Sequence, residues 1–307
     1  MKILILGAGA IGGYFGGRLL EKGEDVTFLV REKRANQLKK NGLIIKSIHG
    51  DVSLRATTIQ AGAGDDYPFD IVFIATKAYH LSDAMEALNP FVRDYTIVVP
   101  LLNGVEHIEE LYSYFSKDQV IGGLCFIEST LNEEGHIIQT SEKHELAFGE
   151  MSGKVTDRIK QLDELFSGTK ATFRLSEHIQ QDLWHKYLFI TTISGITSLM
   201  RSPIGPIRDT LEGRTYIQQL FEEVRLTMEE ARAPIAEGIV EKQMMIVEQL
   251  GAKMKSSMLR DIEKDNQIEA DHLQGYLLLL AERSGVETPL LKLIYQHLKV
   301  YEKNHPF

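Results

Sequence analysis

The chain enters at once on Ile3-Leu4-Ile5-Leu6, an apolar run of strand character, and passes directly into Gly7-Ala8-Gly9-Ala10-Ile11-Gly12. The spacing after it predicts an amphipathic helix over 11–22 with Tyr14, Leu19 and Leu20 inward, closed near Gly23. A second strand, Val26–Val30, completes a βαβ unit. A G-x-G-x-x-G alone is an ordinary glycine-rich turn. Between a strand and a helix it becomes a pyrophosphate site. The first glycine makes the tight turn, the second lets backbone approach the phosphates, and the third lets the helix sit against the strand. The free N–H groups of the helix then face the negative charge. Gly7, Ala8, Gly9, Ala10, Ile11 and Gly12 are therefore candidate cofactor-binding residues.

The end of the second strand selects the dinucleotide. NAD-binding folds place an acidic side chain there for the ribose hydroxyls. This chain reads Phe28-Leu29-Val30-Arg31-Glu32-Lys33-Arg34. A guanidinium grips a 2′-phosphate with two hydrogen bonds, so Arg31 points to NADPH/NADP. The competing reading is a solvated basic turn at a helix start, in which Glu32 still reaches a ribose.

Strands at Lys2–Leu6, Val26–Val30, Ile71–Ala75, Thr96–Val99 and Val120–Phe126 alternate with helices expected over 11–22, 32–41, 80–90 and 104–115. That alternation means an α/β fold with a parallel sheet covered on both faces. Leu43–Ile48, Ser53–Thr57, His136–Thr140 and Leu146–Gly149 read as further, partly antiparallel strands. Beyond about residue 175 helical periodicity takes over, with helices expected over 178–200, 212–232, 235–251, 269–284 and 289–303. The division expected is a Rossmann-type NADP-binding domain over 1–170 and an all-α substrate domain over 171–307.

The net charge of −9 argues against a nucleic-acid partner. No stretch approaches the ~20 apolar residues of a membrane span. The first strand leaves no room for a signal peptide, and a cytoplasmic protein is the expectation. The single cysteine, Cys125, excludes an internal disulfide and, in an apolar run, reads as a buried thiol. The ten histidines lack metal-ligand spacing, so no metal is expected.

Two more strands end in polar groups where a cofactor would lie. Lys77 follows the strand ending at Ala75 and could meet phosphate or ribose oxygens, or simply start a solvated helix. Asn103 follows the strand ending near Leu102 and could meet the nicotinamide ribose or substrate, or form a plain Asn-Gly turn. In the helical half, Lys186 heads an uncharged stretch from Tyr187 to Met200. Ile190, Ile193, Ser194 and Thr197 share its helix face. Such a lysine can polarise a ketone and protonate the developing alkoxide. It can equally snorkel or pair across an interface. Ser256-Ser257 and Glu269 read, by themselves, as caps and solvated charge.

These features together resemble the ketopantoate reductase (2-dehydropantoate 2-reductase) family along essentially the whole length. The resemblance rests on G-A-G-A-I-G, T-K at 76–77, L-N-G at 102–104 and L-W-x-K at 183–186, then S-P-x-G at 202–205. It closes on S-S-M-L-x-D at 256–261, I-E-x-D at 268–271 and G-V-x-T-P at 285–289. It implies a helical second domain like that of 6-phosphogluconate dehydrogenase relatives. It also implies NADPH-dependent reduction of a 2-oxo acid, 2-dehydropantoate to pantoate in pantothenate and coenzyme A biosynthesis. It makes Lys186 and Glu269 catalytic, with Glu269 also touching the cofactor. Ser257 becomes the carboxylate contact and Asn103 a cofactor and substrate contact, while Ser194 lies in the substrate set. A homodimer is compatible with it. The departures are Ile190, Ser194, Ile204 and Met254, which occupy family asparagine positions. An unpaired buried polar group costs about 1–3 kcal/mol. The substitutions therefore suit a more apolar 2-oxo acid, or poor use of ketopantoate. A non-catalytic NADP-binding regulator is the alternative of a different class.

Overall fold

The computed structural model describes residues 1–62 and 67–306. They form two compact units, Met1–Leu102 with His107–Gln180, and Asn103–Glu106 with Gln181–Phe307.

The first unit carries all ten described strands. They are β1 (Lys2–Leu6), β2 (Asp25–Leu29), β3 (Leu43–Ser47), β4 (Val52–Leu54) and β5 (Thr57–Ile59), then β6 (Ile71–Ile74), β7 (Ile97–Pro100), β8 (Gly122–Leu131), β9 (Ile137–Gly149) and β10 (Thr172–Leu175). Its helices are α1 (Ala10–Lys22), α2 (Glu32–Asn41), α3 (Leu81–Leu88), α4 (Glu106–Tyr114) and α5 (Asp157–Phe166). One sheet runs β5-β2-β1-β6-β7, every pairing parallel. Its central strands are apolar on both faces, with Ile3, Leu4, Ile71, Val72 and Ile74 fully buried, as a doubly covered parallel sheet requires. The chain starts in β1, moves outward to β2 and β5, and returns to the other side of β1 at β6. The strand order thus reverses at β1, and such a reversal marks the ligand crevice of an α/β sheet.

The second sheet is mixed, in the order β10-β9-β3-β4, with β8 antiparallel to β9. Helix α1 touches both sheets. Methyl groups added at Gly12 and Gly16 would strike Ile5 and Phe28 of the first sheet. Added at Gly13 and Gly17 they would strike Ile137, Ile45 and Leu43 of the second. Paired glycines one helical turn apart therefore let α1 lie close to a sheet on either side.

The strand expected at 53–57 is two strands, because the chain changes sheets at Arg55-Ala56. The two short strands expected after residue 135 are one, β9, since β8 runs beside its whole length. A bulge between Ile127 and Ser129 absorbs the irregular middle, where Glu128 N–H donates to Ser141 Oγ. Helix α5 and strand β10, unread in the sequence, follow the hairpin. Cys125 is buried on β8.

The second unit is helical: α6 (Ile179–Met200), α7 (Ile204–Arg208), α8 (Leu211–Glu230), α9 (Ile239–Gln249), α10 (Ser257–Ile262), α11 (Tyr276–Ser284) and α12 (Pro289–Asn304). Helix α6 is apolar on nearly every side, and Thr191 to Ser198 are all buried. Helix α8 packs against α7, α9, α11 and α12. The helix expected over 269–284 opens instead with a π-helical turn, Asp271–Gly275, before α11. No helix among the described residues is long and apolar enough to cross a membrane.

Candidate active site

In the first unit the expected cofactor residues gather at the carboxyl ends of β1, β2 and β6. Gly7 lies at φ +96° and its N–H donates to Leu29 O at 3.0 Å, which bends the chain out of β1. A side chain at Gly7 would meet Ala75 O at 3.0 Å and Thr76 Cγ2 at 3.8 Å, so the loop leading to Lys77 runs directly beside the glycine loop. Gly9 is the N-cap of α1, with no side-chain cap and no acidic residue in the first turn. A Cβ added at Gly9 would meet nothing within 4 Å. The helix start is thus an uncapped array of donors behind open space, and it fits a dinucleotide pyrophosphate.

Arg31 sits where the sequence placed it, exposed, as the N-cap residue of α2 just past β2. Lys77 is half-buried and caps the turn Ala78–His80. Burial first, and then the Arg31 charge, hold His80 below its ordinary pKa, so Arg31 and the Lys77–His80 turn share one electrostatic neighbourhood. Arg34, which looked in sequence like part of the same basic cluster, does a different job. Its Nε donates to Ala8 O at 2.9 Å and its Nη1 to Gln37 Oε1 at 2.6 Å and Gly135 O at 2.8 Å. It ties the glycine loop to the β8–β9 turn.

In the second unit the remaining residues converge on α6 and the segment 269–275. Lys186 is buried on α6, at 9% exposure. Its neighbour Tyr187 is fully buried, and its hydroxyl donates to Leu273 O at 2.5 Å. Burial keeps that phenol well above its ordinary pKa, so it stays protonated. Ser194 is buried, and its hydroxyl accepts from Gln274 Nε2 at 3.0 Å. Thr197, expected beside the ammonium, is turned to Ser256, with the hydroxyls 2.8 Å apart. Ser256 caps α10 by accepting from Leu259 N–H at 3.1 Å, which sets Ser257, exposed, as the first residue of that helix. His185 accepts from Ala236 N–H through Nε2, so its proton lies on Nδ1. Burial, then Lys242, lower its pKa and keep it neutral.

Asn103 is half-buried in the turn before α4, and its carbonyl meets His272. The charge of Glu269 also acts on His272. Of the positions where apolar residues replace family asparagines, two are adjacent in space. Ile204 N–H donates to Met254 O at 2.9 Å, and Gly205 N–H to Ala252 O at 3.1 Å. Ile204 is fully buried.

Known families supply the remaining constraint. The model described as "Ketopantoate reductase PanE/ApbA" matches residues 3–153, and "Ketopantoate reductase PanE/ApbA C terminal" matches residues 178–302. The chain belongs to the ketopantoate reductase family. It is accordingly an oxidoreductase working with a nicotinamide dinucleotide. An "Uncharacterized oxidoreductase YkpB" of Bacillus subtilis is 47% identical over 302 residues, covering 98% of this chain and 99% of that one. A 2-dehydropantoate 2-reductase of Nostoc is 27% identical over 305 residues, with 97% and 94% covered. The crystal structure of 2-dehydropantoate 2-reductase from Geobacter metallireducens superposes with a TM-score of 0.89 at 26% identity, covering 98% and 99% of the two chains.

Sequence reasoning assigned no role to His272 or Gln274, although the structure hangs Asn103 and Ser194 on them. One signal was within reach: His272 and Gln274 flank Leu273 just ahead of the apolar run Leu277–Leu280, and polar side chains that enter a core there need polar partners.

Proposed function

We propose that this member of the ketopantoate reductase family uses NADPH to reduce a 2-oxo acid to the 2-hydroxy acid. 2-Dehydropantoate is the first substrate to consider. The observation that carries the reading is Lys186, a buried lysine one residue from the hydroxyl that holds the Asp271–Gly275 turn. Bound NADPH supplies the hydride that goes to the keto carbon. Lys186 donates a hydrogen bond to the keto oxygen and then gives it a proton as the alkoxide forms. Ser257 binds the carboxylate, Asn103 contacts both cofactor and substrate, and Glu269 contacts the cofactor near Lys186. Ser194 lines the substrate side. The Gly7–Gly12 loop takes the pyrophosphate, Lys77 a phosphate or ribose oxygen, and Arg31 the 2′-phosphate.

A second reading concerns the acid itself. Positions 204 and 254 carry Ile and Met in place of the family asparagines, and they lie side by side, Ile204 N–H donating to Met254 O, so neither offers a side-chain amide there. A site lacking amides discriminates by about 10–200-fold per methylene, whereas one built to bond a hydroxyl rejects the deoxy analogue by about 10⁴ or more. The reading therefore expects ketopantoate to show a high KM and a 2-oxo acid without its hydroxyl to do as well or better.

Oxidation of NADPH against a panel of 2-oxo acids tests both, with Lys186→Ala as control. That variant should lose turnover by orders of magnitude while binding NADPH nearly as before. Near-normal turnover refutes the mechanism. Binding of NADPH with no turnover of any acid would leave a regulator. A ketopantoate reductase of Staphylococcus aureus is described as dimeric. Exposed Leu211, Leu226, Met245 and Ile246 on α8 and α9 support a dimer here, which sedimentation equilibrium would read.

A further inference from the structure

The π-helical turn Asp271–Gly275 sends neighbouring side chains in different directions. A π turn inserts one residue into a helix and shifts the phase of the residues after it. Asp271 faces α12, accepting from Tyr295 OH at 2.6 Å and Lys299 Nζ at 2.9 Å. Gln274 faces α6. His272, also 9% exposed, reaches the Asn103-Gly104 turn. Its Nε2 lies 2.7 Å from Asn103 O and its Nδ1 lies 3.1 Å from Glu106 Oε2. Gly104 has φ +82°, and a Cβ there would come within 3.0 Å of Nε2. The ring therefore lies against a backbone that only glycine supplies.

Both atoms facing the ring are acceptors. A main-chain carbonyl has no proton to give, and the Glu106 atom that faces the ring is a carboxylate oxygen on a side chain 40% exposed to water. A neutral imidazole offers one N–H and one lone pair, so either tautomer would set a lone pair against an oxygen lone pair. Only the imidazolium, with two N–H groups, satisfies both contacts. Burial opposes the charge, but the bonds to Glu106 and Asn103 O and the nearby Glu269 carboxylate outweigh it and raise the pKa. The charged groups that act on the ring include Glu106, at the start of α4, and Glu269, just before the π turn. The Tyr187 phenol, bonded to Leu273 O, is neutral.

We propose that His272 is a positioning residue of this reductase: as an imidazolium it clamps the Asn103 carbonyl and the Glu106 carboxylate, and so fixes the Asn103 turn that cofactor and substrate use. This rests on the proposed contacts of Asn103. Because the folded pKa is raised, the clamp is complete below the unfolded value of about 6.5 and is lost as pH rises through the folded value. Affinity for NADPH and for the oxo acid should therefore fall on the alkaline side, with kcat changing less.

Three measurements test it. In protein labelled with ¹⁵N-histidine, the ring assigned by its loss in His272→Gln should carry protons on both nitrogens at pH 7, with its titration shifted downward in Glu106→Gln. NADPH binding followed by fluorescence should weaken by about tenfold between pH 6.5 and 9, the equivalent of one charged hydrogen bond. In His272→Gln, which keeps one neutral donor, that dependence should be flat. A neutral tautomer at pH 7, or a wild-type pH dependence in His272→Gln, overturns the proposal. Neither readout needs turnover, so inactivity on every oxo acid would count against the reductase reading while the clamp was still judged. If His272→Gln does not fold, His272→Asn supplies the assignment and the flat pH dependence in its place, and the shift of the ring's titration in Glu106→Gln decides.

Discussion

Two glycines of the same loop should fail in opposite ways when replaced by alanine. At Gly12 a Cβ would lie 2.2 Å from Gly7 O and 2.8 Å from Ala75 Cβ. Real Cβ contacts essentially never fall below 3.0 Å, so backbone must yield by about 0.8 Å (3.0 less 2.2). Gly7 O belongs to the tight turn and cannot rotate away as a side chain would. Overpacking of this kind costs about 1–3 kcal/mol, and a main-chain neighbour puts Gly12→Ala at or above the upper end. For a domain of this size that is a fall in Tm of about 6–12 °C. At Gly9 the added methyl meets nothing within 4 Å and φ is −82°, a value alanine accepts readily. Lower unfolded-state entropy favours Gly9→Ala by about 0.4–1 kcal/mol, and a poorer N-cap costs a similar amount. Its Tm should stay within about 3 °C of wild type. Its methyl, however, stands where the pyrophosphate must approach the backbone. NADPH and NADH should therefore both weaken tenfold or more, about 1.4 kcal/mol. Differential scanning calorimetry and fluorescence titration read the two quantities. Gly9→Ala with wild-type affinity would refute the placement of the pyrophosphate. Gly12→Ala with wild-type Tm would refute the close approach of α1 to β1.

Arg31→Ala should weaken NADPH far more than NADH, since only NADPH carries the 2′-phosphate, whereas Arg34→Met should weaken both alike by loosening Ala8 and Gly135; equal losses in both variants, read as the ratio of the two dissociation constants, would erase the distinction. Burial would raise the Glu150 pKa, but paired bonds from Arg158 at 2.6 Å and one from Thr156 outweigh it and lower it. Its contribution is thus present above the ordinary value of 4.5 and lost as pH falls through the folded value. Glu150→Gln should cost about 1–3 kcal/mol at pH 7, with the Tm difference from wild type closing as pH falls below the ordinary value of 4.5 and on through the folded one; a difference that persists in acid would assign the loss to packing.

The parallel sheet and the cofactor edge were legible because their signals are local. Runs such as Ile3–Leu6 and Ile71–Ile74, each followed by a polar or glycine break, show strand, end and loop chemistry within a few residues. Helix α6 was legible for the same reason, by its long uncharged stretch. Strand β10 and helix α7 were not, since four or five residues each take their conformation from a distant partner. Strand β10 forms on β9, and the start of α7 is held by the backbone of Ala252 and Met254. Arg34 stands in the same basic turn as Arg31, but sequence gives charge and not direction; its guanidinium is spent on Ala8 O, Gln37 and Gly135 O. His272 escaped for the complementary reason. Its partners are a carbonyl and a carboxylate more than 160 residues away.

The glycine pairs of α1 also have a consequence for assembly of the chain. A helix that touches Ile137, more than a hundred residues downstream, has only part of its second wall, the early strands β3 and β4, until the β8–β9 hairpin arrives. Contacts of such sequence separation form late. On the ribosome, then, the first strand and helix can emerge and pair with β2 while the phosphate-binding turn is still loose. Arg34 completes the picture, because its bonds to Ala8 and Gly135 join the same early loop to the tip of the same late hairpin. A nascent chain stopped short of residue 149 should bind dinucleotide poorly although every residue of the glycine motif has been made, and affinity should appear in one step once the hairpin has cleared the exit tunnel.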